Sequence, residues 1–252
     1  MRVCATIEAR MNSSRLPGKV MMKHGEYPLI KIMVDRVRRA TLIDEVIVAT
    51  TTNKNDDALC EYLSHELINF YRGSEENVLE RVLQAAISND VDVIVELTGD
   101  CPLVDPTIID RSIQAYMSYD ADYVANTTIT NTYPRGTDVQ VFSTSTLKEV
   151  ATLTSDPDDL ENVSLFIYRN PEKYKLVEFP PPSFKIPPDT RLTLDYKEDL
   201  DAILSILDEL GYECTLEEIC NFLTSNPEIR KINSGLSVTY INDDVRNKNT
   251  ND

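Results

Sequence analysis

Apolar residues along this chain alternate between two rhythms. Val3 to Ile7, Val46 to Thr50, Leu67 to Tyr71 and Val91 to Leu97 are short runs rich in β-branched residues, the pattern of strands buried on both faces. Between them the apolar positions recur every three or four residues. Leu29, Ile32, Met33, Val37 and Ala40 predict a helix over 28–40, a second helix is predicted over 56–65, and Val78, Leu79, Val82, Leu83 and Ala86 place a third from Glu75 to Ser88. Strand and helix in regular alternation predict a parallel sheet covered on both faces, a three-layer αβα arrangement of Rossmann-like type.

The second half is less regular. Asp105 as N-cap and Pro106 in the first turn start a helix that runs to about Ser118. Tyr123 to Asn126 and Thr137 to Phe142 read as further strands around an irregular 127–136 stretch, which makes the expected sheet mostly parallel but mixed. Helices are predicted over Ser143–Leu153, Asp158–Arg169 and Glu198–Gly211, and over Thr215–Leu223, which opens with the capping-box sequence Thr-Leu-Glu-Glu. Leu192 to Asp195 reads as a short strand. Prolines crowd residues 179–189, removing the donors that a ladder or helix needs, so that segment is a connector. Residues 1–238 are expected to form one domain, followed by a polar, disordered tail at 239–252.

Composition narrows the functional classes. A hydrophobic share of 42% suits a globular core, while a formal charge of −17 argues against general affinity for nucleic acid or anionic membrane. Positive charge is nonetheless concentrated: eight of the 25 lysines and arginines fall between Arg10 and Arg39. The five cysteines are scattered and form no C-x-x-C pair, so neither a disulfide framework nor a zinc cluster is expected. His24 and His65 have no neighbouring nucleophile. With no charged-then-apolar leader and no apolar run of membrane-spanning length, a cytoplasmic, soluble protein is expected.

The densest chemistry lies just after the first strand. There a polar loop carries Arg10, Arg15 and Lys19 around Asn12, Ser13 and Ser14, and Pro17 and Gly18 close it. A basic loop at the carboxyl end of a strand offers inward backbone N–H groups and cationic side chains to a phosphate. The competing reading is a solvated surface loop. Two aspartates, Asp100 and Asp195, end apolar runs and could hold Mg²⁺ or could simply cap the helices that follow.

The run Ala9-Arg10-Met11-Asn12-Ser13-Ser14-Arg15-Leu16-Pro17-Gly18-Lys19 resembles the A-R-x-x-S-x-R-L-P-G-K signature of cytidylyltransferases that make CMP-activated acidic sugars. It is most similar to the spore-coat polysaccharide SpsF-like branch. Val48-Ala49-Thr50-Thr51, Arg72-Gly73-Ser74, Leu97-Thr98-Gly99-Asp100-Cys101-Pro102-Leu103 and Leu192-Thr193-Leu194-Asp195 extend the resemblance over about the first 210 residues. It implies a nucleotide-diphospho-sugar transferase fold, transfer of CMP from CTP with release of pyrophosphate, Mg²⁺ or Mn²⁺ as cofactor, and a homodimer.

Carried over position by position, the resemblance gives Arg10, Lys19 and Asp100 catalytic roles. It puts the nucleotide against Ala9, Arg10, Met11, Ser13, Arg15, Lys19, Arg72, Gly73, Ser74, Thr98 and Asp100, and the metal on Asp100 and Asp195. A small anionic sugar-like acceptor is expected near Tyr133, Arg135 and Asn162. Relatives commonly carry His-Val-Thr where this chain has Asn162-Val163-Ser164, and an amide cannot titrate near neutral pH as an imidazole does.

Other readings remain open at this point: a guanylyl- or other nucleotidyltransferase acting on a hexosamine 1-phosphate, a metal-dependent glycosyltransferase, and a non-catalytic nucleotide binder. A glycosyltransferase would use an Asp-x-Asp pair, but Asp90-Val91-Asp92 and Asp120-Ala121-Asp122 precede predicted strands, at the wrong sheet edge. A dinucleotide oxidoreductase lacks its G-x-G-x-x-G.

Overall fold

The structure, a computed structural model, describes residues 1–127, 132–178 and 180–236; the expected tail at 239–252 lies outside them. Strand β1 (Val3–Glu8) runs into the basic loop, a 3₁₀ turn (Lys19–Met21) and a small hairpin of β2 (Lys23–His24) and β3 (Tyr27–Pro28), which feeds helix α1 (Leu29–Val37). The chain continues through β4 (Glu45–Thr51), α2 (Asp57–His65), β5 (Asn69–Gly73), α3 (Val78–Ser88), β6 (Val93–Thr98) and α4 (Pro106–Tyr119). It then forms β7 (Tyr123–Ala125), β8 (Gln140–Ser143), α5 (Thr144–Leu153), α6 (Pro157–Glu161), α7 (Leu165–Arg169) and β9 (Leu176–Glu178). Three helices close it: α8 (Lys197–Leu210), α9 (Leu216–Ser225) and α10 (Pro227–Lys231).

Seven strands make one sheet in the order β5-β4-β1-β6-β8-β7-β9. The first four in that order are mutually parallel, whereas β8 is antiparallel to both β6 and β7. Alternation along β1 sends Ala5 and Ile7 into a core shared with α1, α4, α8 and α9, and Cys4 into a second core built on α3 and α5. The expected three-layer, mostly parallel mixed sheet is therefore the fold.

The chain builds outward from β1 to β4 and β5, then returns to lay β6 on the other side of β1. That reversal opens a crevice at the carboxyl ends of β1 and β6, the place where open α/β sheets bind ligands. A buried guanidinium locks the surrounding pieces together. Arg36 of α1, 1% exposed, donates to the carbonyls of Leu103, Val104, Tyr212 and Cys214.

Three expectations need correction. The third strand starts at Asn69 rather than Leu67, because Leu67 has φ 54° and turns the chain out of α2. Asp158–Arg169 is two short helices: Asn162 spends its side-chain amide on the Asp158 carbonyl at 2.8 Å, and Val163 and Ser164 are buried, which turns the backbone. Leu192–Asp195 is irregular rather than a strand. Its N–H groups go to different places, Leu192 to the Arg135 carbonyl at 2.8 Å and Leu194 to the Asp100 carbonyl at 2.7 Å, so no ladder forms.

Candidate functional site

The basic loop is fixed at both ends. Ala9 N–H donates to the Ala49 carbonyl at 3.3 Å as β1 ends, and Met11 N–H donates at 2.6 Å to Asp56, a buried carboxylate that also accepts the Thr51 hydroxyl. Gly18 N–H then reaches back to the Met11 carbonyl at 2.8 Å, closing the loop and starting the 3₁₀ turn with Lys19 as its first residue. From the neighbouring strand, Gly99 N–H donates to the Glu8 carbonyl at 2.8 Å. A Cβ at Gly99 would stand 2.8 Å from that same oxygen, so only glycine lets the segment after β6 lie this close to β1.

Lys19 is the hub that results. Its ammonium, 12% exposed, donates to Asp100 at 3.0 Å and to Asp195 at 3.2 Å. Burial works against its charge, yet Asp100 and Asp195 outweigh burial and raise its pKa. Asp195 is 2% exposed and ringed by cations: Arg15 at 2.6 Å, Lys19, Arg191 at 3.0 Å and Arg135 at 3.9 Å. Burial alone would push its carboxyl up, but Lys19, Arg15 and Arg191 hold it below the usual range.

Neither aspartate caps a helix. The cap of α4 is Asp105, and that of α8 is Tyr196, whose N–H is taken by Asp199. Asp199, fully buried, also accepts the Asp195 N–H at 3.0 Å and grips Arg191 at 2.7 and 3.0 Å. Asn233 completes this support, donating to Asp199 at 2.9 Å.

Around the hub lies a cleft of about 460 Å³. Of the sequence-predicted residues it brings together Ala9, Arg10, Ser13, Arg15, Lys19, Thr98, Asp100 and Asn162, with Asp195 joined to them through Lys19. Met11 turns its side chain onto the core. Arg72, Gly73 and Ser74 lie outside the cleft lining; the Arg72 guanidinium holds the Thr51 and Asn53 carbonyls and pairs with Asp57 at 2.8 Å. Tyr133 is buried, with its hydroxyl on the Pro180 carbonyl at 3.3 Å, while Arg135 reaches Asp195. The two Asp-x-Asp sequences sit at the opposite edge, where Asp92 accepts Arg2 N–H and Asp122 accepts Lys175 N–H.

The model of the cytidylyltransferase family matches residues 4–226. The chain belongs to that family. It is 34% identical over 229 residues to the spore coat polysaccharide biosynthesis protein SpsF of Bacillus subtilis, covering 88% of this chain and 94% of that protein. Over 113 residues, 45% of this chain and 44% of the other, it is 32% identical to the 3-deoxy-manno-octulosonate cytidylyltransferase of Geobacter metallireducens. Its fold superposes on that of a cytidylyltransferase from Leptospira borgpetersenii with a TM-score of 0.86 at 29% identity, covering 95% of this chain and 100% of that one.

Within this cytidylyltransferase architecture the sequence reading missed four charged residues near the site. Arg191 and Asp199 were hidden because their buried pairing spans the irregular segment that was read as a strand. Glu8, at the end of β1, and Arg81, inside α3, line the cleft from positions whose neighbours are apolar. A charged residue in an otherwise buried run was the available signal, since unpaired charges are almost never buried without a reason.

Proposed function

We propose that this chain transfers CMP from CTP to an acidic sugar or sugar-phosphate-like acceptor with release of pyrophosphate, in the synthesis of a surface glycan precursor. The observation that carries the reading is the convergence of Lys19, Asp100 and Asp195 at the crevice, beside a loop presenting Arg10 and Arg15. Family membership and the names of the relatives support cytidylyl transfer; their substrates suggest the acceptor class.

The residues fit a divalent cation. Magnesium takes one or two carboxylates together with phosphate oxygens and water, and Asp100 and Asp195 meet at a single ammonium with Asp100 27% exposed to the cleft. Among the described residues there is no cluster of three or more His, Cys, Asp or Glu ligands, which matches a metal shared between protein and nucleotide rather than one caged by protein. Bound there, Mg²⁺ or Mn²⁺ would supply charge neutralisation at the phosphates.

The protein's own groups do the rest. Arg15 and Lys19 stand where the phosphates enter, and each trades a carboxylate partner for phosphate oxygens as the nucleotide binds. Arg10, 3.9 Å from Glu75 and 42% exposed, is available to the same anion. Lys19 stays within reach of the leaving pyrophosphate, where its charge offsets what develops in the transition state. A cytoplasmic homodimer belongs to the same reading.

Calorimetric titration with CTP, UTP, GTP and ATP in the presence of Mg²⁺ tests it. CTP is expected to bind at least ~10-fold more tightly than the others, and CTP with 3-deoxy-manno-octulosonate is expected to release pyrophosphate. Equal affinity for all four nucleotides removes the cytidylyl part, and a preference for GTP favours guanylyl transfer.

A further inference from the structure

Under the cleft lies a polar cluster that the phosphate and metal chemistry does not use. In the parallel register Glu8 of β1 pairs with Thr98, and Thr6 pairs with Glu96 of β6, so both glutamates point to the same face of the sheet two residues apart. Glu96 is 5% exposed. Glu8 Oε1 and Glu96 Oε2 find no donor among the surrounding groups, yet the two carboxyls hydrogen-bond to each other, which requires a proton between them.

The groups facing Glu8 are Arg81 from α3, Glu96 from β6 and Asp100 from the segment after β6. Arg81 is 3% exposed and lines the cleft, with its Nε–H unpartnered and another guanidinium nitrogen on the Ser74 carbonyl. Glu96 has a further hydrogen bond to Ser164. Burial pushes the Glu8 carboxyl up to about 7, with Arg81 and the bond to Glu96 opposing it. Burial and the charge of Glu8 push Glu96 higher still, so Glu96 keeps the shared proton and Glu8 is the member that ionises.

Glu8 also reaches the cleft, on the side where Asn162 enters and beside Asp100. A carboxylate steadied from below, with a donor on one oxygen and no ion pair across the cleft, is placed to accept a hydrogen bond from a ligand. We infer that Glu8 is the proton acceptor for the hydroxyl that attacks CTP, a role that rests on the nucleotidyl-transfer reading above. The acceptor's O–H bond breaks and its proton passes to Glu8. The acceptor oxygen bonds the α-phosphorus, the bond from that phosphorus to the bridging oxygen breaks, and pyrophosphate leaves with the electron pair. Glu96 is a positioning residue that fixes the orientation of Glu8.

The test measures pyrophosphate release from CTP and Mg²⁺ with two nucleophiles, 3-deoxy-manno-octulosonate and water, alongside calorimetric CTP binding. Glu8→Gln keeps size and hydrogen-bonding capacity but cannot take the proton, so kcat is expected to fall at least ~100-fold with both nucleophiles. Its CTP affinity should stay within about twofold of wild type, a split that a merely structural role would not give. Glu96→Gln, which still donates to Glu8, should lose less than about tenfold. Should Glu8→Gln fail to bind CTP, Glu8→Asp carries the comparison: it retains the charge but withdraws it from the cleft, and a loss of about tenfold or more is expected. Wild-type turnover with a Glu8→Gln kcat within threefold of it, or an undiminished Glu8→Asp, overturns this inference alone. Wild-type protein that releases no pyrophosphate with either nucleophile overturns the nucleotidyl-transfer reading and this inference with it.

Discussion

Asp195 shows how much one carboxylate is asked to do. Four cations converge on it, and two further groups, Asp199 and Asn233, hold the segment that carries it. Asn at this position keeps the shape and discards the charge. Asp195→Asn and Asp100→Asn are each expected to lower pyrophosphate release at least ~100-fold at low millimolar Mg²⁺, with partial rescue by Mn²⁺ or more Mg²⁺. Their stabilities should separate. Asp195→Asn leaves buried cations facing an amide and should cost about 3–5 kcal/mol in urea denaturation, whereas the more exposed Asp100 should cost under ~1 kcal/mol. Turnover close to wild type in both variants would rule the pair out as metal ligands. Because the Asp195 carboxyl is held below its usual range, its contribution to stability persists at neutral pH and is lost only as the pH falls through that lowered value.

At the scale of elements, the decisive parts of the site are those without regular structure. The segment 191–195 packs against the turn at Gly136, which has φ +91° and whose Cβ, if added, would stand 2.3 Å from the Thr193 nitrogen. Gly136→Ala therefore meets both a left-handed backbone and a backbone clash, and is expected to destabilise by at least ~2 kcal/mol while displacing Asp195. Urea midpoints and CTP calorimetry on this variant check both effects; a change under ~0.5 kcal/mol would show that the turn yields.

The same contrast explains what could be read from the sequence. β1, β4, β6 and the helices between them were legible because one-sided and two-sided burial impose distinct periods. The loop from Ala9 to Lys19 was legible because its cations are packed into one stretch. Leu192–Asp195 misled, since an apolar run shows that side chains are buried but not where the N–H groups go. The break at Asn162 was equally hidden, because it depends on Ser164 meeting Gln140 from β8, a contact between distant parts of the chain. Arg72 was misplaced for a related reason: its strand end does reach the rim, but the guanidinium is consumed by Thr51, Asn53 and Asp57.

For the molecule as a whole, the Glu8–Glu96 pair couples the site to stability. Glu8 has a folded-state pKa of about 7, above its ordinary 4.5, so the native state binds more protons than the unfolded chain between those values. Stability from this group is fully present below about pH 4.5 and declines as the pH rises toward 7. Glu8→Gln abolishes the effect, and its stability relative to wild type should improve by about 2 kcal/mol between pH 5 and pH 8. Parallel urea titrations of both proteins across that range decide the matter, and a constant difference would mean that Glu8 is ionised throughout.

Arg36 adds a constraint of another kind, one set in time. Its guanidinium is made early, whereas the Cys214 carbonyl that it binds lies 178 residues further along. At translation rates of about 5–20 residues per second, that gap leaves the arginine without its full set of partners for roughly 10 to 35 seconds on the ribosome. A buried arginine with too few acceptors cannot be sealed into a core, so α1 and the loop it anchors must wait for the C-terminal helices. The catalytic half of the protein is thus translated first and finished last, and in that interval its apolar helix face is the part of the nascent chain most in need of a chaperone.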